Sequence, residues 1–396
     1  MSGIPNSLGV YIQVPFCRTK CTYCNFHTGV FSKAIYGPYV DAIVHEITGH
    51  KHLYRSAKLD EQVGVVAAGE RVIDTAYIGG GTPSLLEPSG LGRMLDGLRR
   101  SFVCALAEVT LEADPETITR EKADAWLAGG INRVSLGMQS FVDRELASAG
   151  RLHRRDDIYR CVEILRGAGL ANFSFDLIAG LPHQTSESWQ TSLDEVCRLS
   201  PSHVSVYMLE IDEGSRLGRE SLAGGARYSV ASLPADDDTA AFYERACEQL
   251  AAFGYEHYEI SNWAHPGKRS AHNLKYWQRT PYLGFGAGAH SFDGSQRWAN
   301  AHDPAAYTAA IAAGRLPIEQ HGPVSTQAAL DEELFLGLRV LEGIDLAAIE
   351  KRYNTDLRDR VSGLVEQGLV EWQGGRLRLA PDRLAVSNEV FVELLS

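Results

Sequence analysis

The strongest constraint on the fold is a repeated alternation of short β-rich runs with helix-like segments. Six runs are predicted to be strands, at 8–14, 72–78, 108–113, 132–138, 172–178 and 203–209. Helical patterns occur between or after them, at 39–52, 90–101, 120–128, 156–167 and 187–199. This alternation predicts a parallel sheet with right-handed crossovers. Six βα units are fewer than the eight of a closed barrel, so we expect an α/β fold with an open, partial (β/α)6 barrel.

The remaining stretches suggest how the chain is divided. A Gly- and Ser-rich stretch at 213–234 predicts a long surface loop or lid, and a helix is expected at 238–253. Residues 254–298 are aromatic, Gly-rich and apparently irregular. Short helices, a strand pair near 369–379 and a last helix then predict a small C-terminal winged-helix-like module. The predicted domains are a barrel core at 1–235, a barrel-completing segment at 236–325 and the C-terminal module at 326–396.

Charge and hydropathy narrow the partners and the location. The 396 residues include 38 Lys and Arg against 50 Asp and Glu, for a formal net charge of −12. This balance argues against nucleic-acid binding, which needs clustered basic side chains. The N-terminal residues lack the features of a signal peptide, and no window reaches the ~18 apolar residues of a membrane span. A cytoplasmic location is therefore expected.

Three of the seven cysteines form a compact motif, Cys17-Arg-Thr-Lys-Cys21-Thr-Tyr-Cys24, directly after the first predicted strand. Three thiolates on one loop can hold one face of a [4Fe–4S] cubane and leave one iron open. The open iron can chelate amino and carboxylate groups. The alternative is a zinc site with His27 as fourth ligand. The other cysteines are expected to be buried thiols on helices: Cys104, Cys161, Cys197 and Cys247.

Polar or Gly-rich sequences follow the ends of consecutive predicted strands. Gly79-Gly80-Gly81-Thr82-Pro83 follows the second strand, Glu112 and Gln139 end the third and fourth, and Asp176 lies in the fifth. Each of these could instead form a plain turn, cap a helix or satisfy a loop. Because parallel strands gather such residues at one end of a barrel, their combination beside the cysteine loop predicts a cofactor site.

The cysteine motif resembles the signature of the radical SAM superfamily, and the resemblance covers nearly the whole chain. It implies that the open iron binds S-adenosylmethionine (SAM), which the reduced cluster can cleave to a 5′-deoxyadenosyl radical. In the branch similar to oxygen-independent coproporphyrinogen III oxidase, the SAM contacts match Tyr11, Tyr23, Gly80, Gly81, Thr82, Glu112, Gln139, Arg151 and Asp176. Carboxylates suit ribose hydroxyls, and Arg151 suits a carboxylate. The run at 284–290 is expected to close the site.

Two features favour one group within this branch. The oxidases have a fourth cysteine where this chain has Phe26, and a longer N-terminal arm before the first strand. The segment at 272–277 (HNLKYW) resembles the HNxxYW motif of HemW-type haem chaperones. The resemblance implies a haem site, with His272 as axial ligand, Asn273 orienting it, and Tyr276 and Trp277 covering the macrocycle. Competing ligands nearby are His257, His265 and His290.

The resemblance implies a cytoplasmic haem chaperone that passes haem to acceptor proteins such as respiratory enzymes. The cluster and SAM would regulate or drive the transfer. The resemblance also leads us to expect peripheral membrane association and a homodimer. The alternative is an enzyme, either an anaerobic coproporphyrinogen III dehydrogenase or a radical SAM methyltransferase. The missing fourth cysteine argues against the dehydrogenase, and HNLKYW argues against the methyltransferase.

Overall fold

A computed structural model describes residues 7–56 and 71–395 of the chain. Most strands belong to one sheet, and two short pairs lie outside it. In chain order the strands are β1 (Ser7–Val14), β2 (Phe16–Cys17), β3 (Gly29–Val30), β4 (Val72–Gly80), β5 (Cys104–Ala113), β6 (Arg133–Gln139), β7 (Phe173–Ala179), β8 (His203–Met208), β9 (Glu256–Glu259), β10 (Asn262–Ala264), β11 (Tyr282–Phe285), β12 (His290–Phe292), β13 (Gln296–Asn300), β14 (Ile318–Pro323), β15 (Val370–Gln373) and β16 (Arg376–Leu379).

Helices connect the strands and cover the outside of the sheet. They are α1 (Tyr36–Ser56), α2 (Pro88–Ser101), α3 (Arg120–Gly129), α4 (Asp143–Ser148), α5 (Arg155–Ala168), α6 (Ser186–Leu199), α7 (Arg216–Leu222), α8 (Asp236–Ala252), α9 (Ala271–Trp277), α10 (Pro304–Ala312), α11 (Thr326–Arg339), α12 (Leu346–Tyr353), α13 (Arg358–Glu366) and α14 (Ser387–Leu395). Among the described residues, no helix is both long and apolar enough to cross a membrane.

The central sheet confirms the predicted partial (β/α)6 barrel. Its strand order is β14-β13-β12-β11-β1-β4-β5-β6-β7-β8-β10-β9. The six predicted strands, β1 and β4 to β8, are consecutive and parallel. Strand β11 adds in parallel beside β1, and β12 to β14 continue that edge in antiparallel pairing. The other edge is closed by the antiparallel pair β10 and β9.

Alternation within each barrel strand separates the core from the lumen. In β1, Val10, Ile12 and Val14 are fully buried in the main hydrophobic core. Tyr11 and Gln13 lie between them, so they project from the opposite face, where the Tyr11 hydroxyl donates to Gln13 Oε1 at 2.7 Å. The same period of two directs polar side chains of the neighbouring strands into the lumen, while their apolar neighbours pack under the helices.

Two helix boundaries show how local sequence fixes the crossovers. Helix α3 begins after Thr119, whose hydroxyl accepts a hydrogen bond from the Lys122 N–H at 3.3 Å. The C-cap of the helix is Gly130, whose φ of 93° glycine adopts with little strain. Helix α6 begins after Thr185, which forms a capping box with Ser188. Each N-cap stabilises its helix by about 1 kcal/mol.

Three expectations for the connecting segments are wrong. The stretch at 213–234 is not a plain loop, because it contains α7 and short 3-10 turns at 227–232 that are interrupted by a kink at Tyr228 and Ser229. Residues 254–298 contain α9 and five strands, which are too short, at three to five residues, to show a clear period. Cys104 begins β5 and does not lie on a helix.

The C-terminal part has the predicted order of elements. Helices α11, α12 and α13 are followed by the β15–β16 hairpin and by α14. Leu334 and Leu338 of α11 are fully buried, and Phe335 packs edge-on against Phe391 of α14, with ring centroids 4.8 Å apart. This helix–hairpin order is the one expected for a winged-helix-like module. The two domain boundaries, at 235 and 325, remain a prediction.

Candidate cofactor site

A cavity of about 520 Å³ lies at the carboxyl ends of the parallel strands. It brings together residues that are distant in sequence, including the three motif cysteines, Cys17, Cys21 and Cys24. Eight of the nine predicted SAM contacts also line it, namely Tyr23, Gly80, Gly81, Thr82, Glu112, Gln139, Arg151 and Asp176. Tyr11 is not among the lining residues, and its ring stacks on Tyr77 with centroids 6.0 Å apart. The predicted cofactor residues therefore form one concave surface.

The cysteine loop is anchored to the barrel at both of its ends. Strands β2 and β3 pair in parallel, with Phe16 opposite Gly29 and Cys17 opposite Val30. The Phe16 ring stacks on Tyr36 at the start of α1, with centroids 4.2 Å apart. In the middle of the loop, the Thr22 N–H donates to the Ala149 carbonyl at 3.0 Å. These contacts hold the three thiols at the rim of the cavity.

The Gly-rich turn after β4 packs tightly against the cysteine loop. Gly80 adopts a φ of 113°, which side chains other than glycine rarely accept. A Cβ at Gly81 would lie 2.6 Å from the Phe16 carbonyl oxygen and 3.0 Å from Cys17 Sγ. Glycine is required there because the turn and the loop approach each other so closely.

We expect Gly81→Ala to displace the cysteine loop and to weaken SAM binding by about tenfold, as overpacking typically costs 1–3 kcal/mol. Calorimetric titration of the reconstituted protein with SAM, together with its iron content, measures the effect. Gly92→Ala is the control, because no atom lies within 4 Å of the added Cβ on α2. Equal SAM affinity in both variants would show that the close approach is unimportant.

Arg151 connects the cysteine loop to strands β5 and β6. Its guanidinium forms an ion pair with Asp114, donates to the Gly137 carbonyl at 2.9 Å, and places Nη1 3.4 Å from Cys21 Sγ. Asp114 in turn accepts from the Thr82 hydroxyl at 3.2 Å. The guanidinium places a positive charge beside Cys21, where a thiolate ligand of a metal would carry negative charge. The sequence analysis did not identify Asp114, although it follows β5 directly.

Two carboxyl groups project into the lumen. Glu112 accepts from the Tyr77 hydroxyl at 2.9 Å and from the Gly80 N–H at 2.8 Å. Burial raises the pKa of Glu112 to about 7, against the lowering effect of these two donors. Asp176 accepts from the Ser135 hydroxyl at 2.9 Å, and burial raises its pKa too. Both groups present oxygen atoms that suit the hydroxyls of a ribose.

The deeper wall of the cavity is lined by polar residues that the sequence analysis missed. They are Arg133, Ser135, Ser174, His203 and Ser205, from β6, β7 and β8. His203 is fixed by hydrogen bonds at both nitrogens, from Nδ1 to the Ser174 hydroxyl at 3.0 Å and from Nε2 to the Tyr258 hydroxyl at 2.8 Å. These residues occupy alternate strand positions, so the period of two was the signal that could have found them.

The HNLKYW segment forms α9, which lies across the amino-terminal end of the lumen. Glu108, near the start of β5, accepts hydrogen bonds from the backbone N–H groups of Ala271 and His272 at 3.0 and 2.9 Å. His272 is 1% exposed. Its Nδ1 lies 2.9 Å from the Thr75 hydroxyl of β4, and its Nε2 lies 3.0 Å from the Tyr276 hydroxyl. Asn273 therefore does not orient the imidazole, because Thr75 and Tyr276 do.

Helix α9 and the cysteine loop are at opposite ends of the barrel. Thr75 and Gly80 are five residues apart on β4, which corresponds to roughly 17 Å. Of the four predicted haem contacts, only Asn273 lines the cavity. Trp277 instead lies under the Arg339 guanidinium of α11, 4.6 Å from its ring centroid. Iron ligation by His272 stays a prediction, and it requires the hydrogen bond at the ligating ring nitrogen to break.

The 284–290 run does not line the cavity, contrary to expectation. It packs behind β1, where the Gly286 N–H donates to the buried Glu46 carboxylate at 2.9 Å. Asn300 and Tyr307 also donate to Glu46, at 2.8 and 2.6 Å. The run therefore belongs to a buried polar cluster that supports the edge of the sheet.

The three cysteines fit a cubane cluster better than a zinc ion. Within residues 7–56 and 71–395, no three His, Cys, Asp or Glu side chains are grouped around a single ion position. A cubane distributes its thiolate ligands over separate iron atoms, so the thiols need only share one wall of the cavity. His27, the fourth ligand of the zinc alternative, is not a lining residue and lies against His302, with ring centroids 4.2 Å apart.

Comparison with known proteins agrees with this geometry. A family model described as the radical SAM superfamily matches residues 11–196, and a model of the HemN C-terminal domain matches 324–382. The chain shares a fold with coproporphyrinogen III oxidase (HemN) from Escherichia coli, with a TM-score of 0.81 at 22% identity, covering 99% of this chain and 90% of that one. The fold is thus that of a radical SAM protein.

Two relatives of similar length define the family more closely. "Heme chaperone HemW" of Mycobacterium tuberculosis is 33% identical, over 100% of this chain and 96% of the relative. The protein of the same name from Bacillus subtilis is 32% identical, over 96% of this chain and 97% of the relative. The chain belongs to the HemW family. Membership of the radical SAM superfamily implies a [4Fe–4S] cluster and SAM.

Proposed function

We propose that the chain is a haem chaperone that binds haem and transfers it to haem-dependent acceptor proteins, such as respiratory enzymes. The relation to proteins named heme chaperone over the whole chain supports this function. The observation that carries the cofactor part is the shared cavity of the three motif cysteines and eight predicted SAM contacts. A cytoplasmic location, peripheral membrane association and a homodimer are further parts of the proposal.

In this proposal Cys17, Cys21 and Cys24 hold the cluster, and the barrel residues hold SAM. When bound, the cluster and SAM together supply one-electron chemistry. The backbone of the Gly80–Gly81 turn approaches the ligand closely, and Glu112 and Asp176 present carboxyl oxygens to it. The Arg151 guanidinium would lie beside the cluster ligand Cys21. Helix α9 covers the far end of the lumen.

One residue at the rim of the cavity favours the chaperone function over the oxidase alternative. Phe26 occupies the position of the fourth cysteine of the oxidases, and its side chain is 67% exposed at the cavity rim. An aromatic side chain cannot replace a thiolate in iron ligation or redox chemistry. An exposed aromatic ring does provide apolar contact area for a planar macrocycle. The rim therefore supports binding of a porphyrin better than its oxidation.

Anaerobic titration of the reconstituted protein with haem, beside incubation with coproporphyrinogen III, SAM and a reductant, tests the function. We expect saturable haem binding at one equivalent and no porphyrin product. Transfer of the bound haem to an apo-haemoprotein, followed by its Soret absorption, then tests delivery. Formation of protoporphyrinogen without stable haem binding would overturn the proposal and favour the dehydrogenase alternative. A methylated product would favour the methyltransferase.

A further inference from the structure

A pair of histidines lies beside the cysteine loop and has no role in the site described above. His27 follows Cys24 by three residues, and its ring lies 4.2 Å from that of His302, measured between centroids, with the planes tilted by 33°. His302 follows β13, so the pair joins the cysteine loop to the β11–β14 edge of the sheet. The exposed His290 of β12 interacts electrostatically with both rings.

The two imidazoles are not committed to hydrogen bonds as His272 is. His302 Nδ1 is buried without a hydrogen-bond partner among the described residues. Gly288 makes room for it, because a Cβ there would lie 3.1 Å from this nitrogen. His27 is exposed, and burial together with His302 lowers its pKa. A neutral imidazole at an accessible surface is able to ligate iron.

The surface around His27 has the apolar and basic groups that a haem needs. Phe26 precedes His27 directly and Val30 follows it by three residues, and these two apolar side chains are 67% and 62% exposed. Lys20 lies beside Phe26 and His27, with Nζ 3.4 Å from the Phe26 carbonyl oxygen. An apolar surface suits the porphyrin face, and the ammonium group suits a propionate. We call Lys20, Phe26, His27, Val30 and His302 the rim patch.

We propose that haem binds at the rim patch, with the His27 imidazole as an axial iron ligand and His302 holding that ring in place. Phe26 and Val30 contact the macrocycle, and Lys20 pairs with a propionate. On binding, a ring nitrogen of His27 replaces a water ligand of ferric iron, with no change in oxidation state. This site rests on the proposed chaperone function and assigns its cargo to the cysteine end of the barrel, away from α9.

The test is anaerobic titration of the reconstituted full-length protein with ferric haem, read from the Soret band and from the low-spin signals in electron paramagnetic resonance. We expect His27→Ala to raise the haem Kd at least about tenfold. Loss of an iron–ligand bond that contributes over about 1.4 kcal/mol to binding has this effect. His302→Ala should shift the low-spin signals with a smaller change in Kd. Because His302 could ligate the iron when His27 is absent, the His27/His302 double variant is measured as well. The iron and sulfide content of each variant shows whether the cluster is retained.

A matched histidine variant serves as the control. His52 is exposed on α1, 16 residues and so roughly 24 Å along the helix from Tyr36, which stacks on Phe16 beside the loop. His52→Ala should bind haem like the unmodified protein, and a folded His272→Ala variant tests the competing iron ligand on α9. Unchanged Kd and spectra in the His27/His302 double variant, or loss of binding in His272→Ala alone, would overturn the rim site. Absence of haem binding in the unmodified protein would instead overturn the chaperone function.

Discussion

Cys21→Ala is expected to abolish the iron–sulfur cluster after anaerobic reconstitution. The cluster needs all three thiolate ligands, so the two that remain cannot hold it. The substitution also removes the contact of Arg151 with Cys21 Sγ at 3.4 Å. Cys17→Ala should have the same effect, because Cys17 lies where the loop meets the Gly81 turn. Iron and acid-labile sulfide content, together with the broad visible absorption of the cluster, measure the loss.

Cys247→Ala provides the matched control for this loss. Cys247 is a half-buried thiol on α8, outside the cavity, and the substitution removes only one sulfur atom. Iron content should therefore equal that of the unmodified protein. Full iron and sulfide content in Cys17→Ala or Cys21→Ala would contradict the assignment of the cluster ligands.

Glu46→Ala is expected to destabilise the protein by at least about 3 kcal/mol, the typical cost of removing one partner from a buried charged network. Glu46 is 2% exposed, and its carboxylate accepts hydrogen bonds from the Gly286 N–H, the Asn300 amide and the Tyr307 hydroxyl. These donors come from the β11–β12 connection, β13 and α10. Urea unfolding followed by circular dichroism measures the change in the free energy of unfolding.

The same carboxyl group predicts a pH dependence of stability. Burial raises the pKa of Glu46 to about 7 from 4.5, outweighing the lowering by its three donors. The folded state therefore binds more protons than the unfolded state between these values. The stabilising contribution is complete below pH 4.5 and is lost as pH rises through about 7. A shift of this size corresponds to roughly 3 kcal/mol.

Two comparisons isolate the contribution of Glu46. The Glu46→Gln side chain cannot titrate. The unfolding free energy of the unmodified protein, relative to that of Glu46→Gln, should therefore decline as the pH rises from 4.5 to about 7. Glu163→Ala, at an exposed position on α5, should change stability by less than about 0.5 kcal/mol. A pH-independent difference for Glu46→Gln would refute the raised pKa, and a small effect of Glu46→Ala would refute the structural role of the network.

The barrel and the cofactor site could be predicted because their signals are local in the sequence. Each parallel strand is a short β-rich run, and each predicted helix boundary lies within four residues of the observed one. The motif spacing places Cys17, Cys21 and Cys24 on one loop. Residues at strand ends, such as Glu112 and Gln139, meet because parallel strands end at the same edge.

The features that could not be predicted depend on contacts between distant segments. Nothing near HNLKYW in the sequence shows that Thr75 and Glu108 bind α9 and turn its histidine inward. The pairing of His27 with His302 joins residues 275 positions apart, and neither residue is part of a motif. The alternation of side chains along β6 and β8 indicates that Arg133 and His203 face the lumen. Neither residue belongs to a motif, however, so there was no reason in the sequence to assign them to the site.

The helix that closes the floor of the barrel has a kinetic consequence. With α9 across the amino-terminal end, the lumen opens at the cysteine-loop end, where a passage for a small molecule remains. With haem on the rim patch, as we propose, that passage is covered by the cargo itself. Loading and unloading would then follow a last-in, first-out order, in which haem must depart before the ligand beneath it is exchanged. Each delivery of haem would thus be coupled to renewed access to the lumen, without any moving lid.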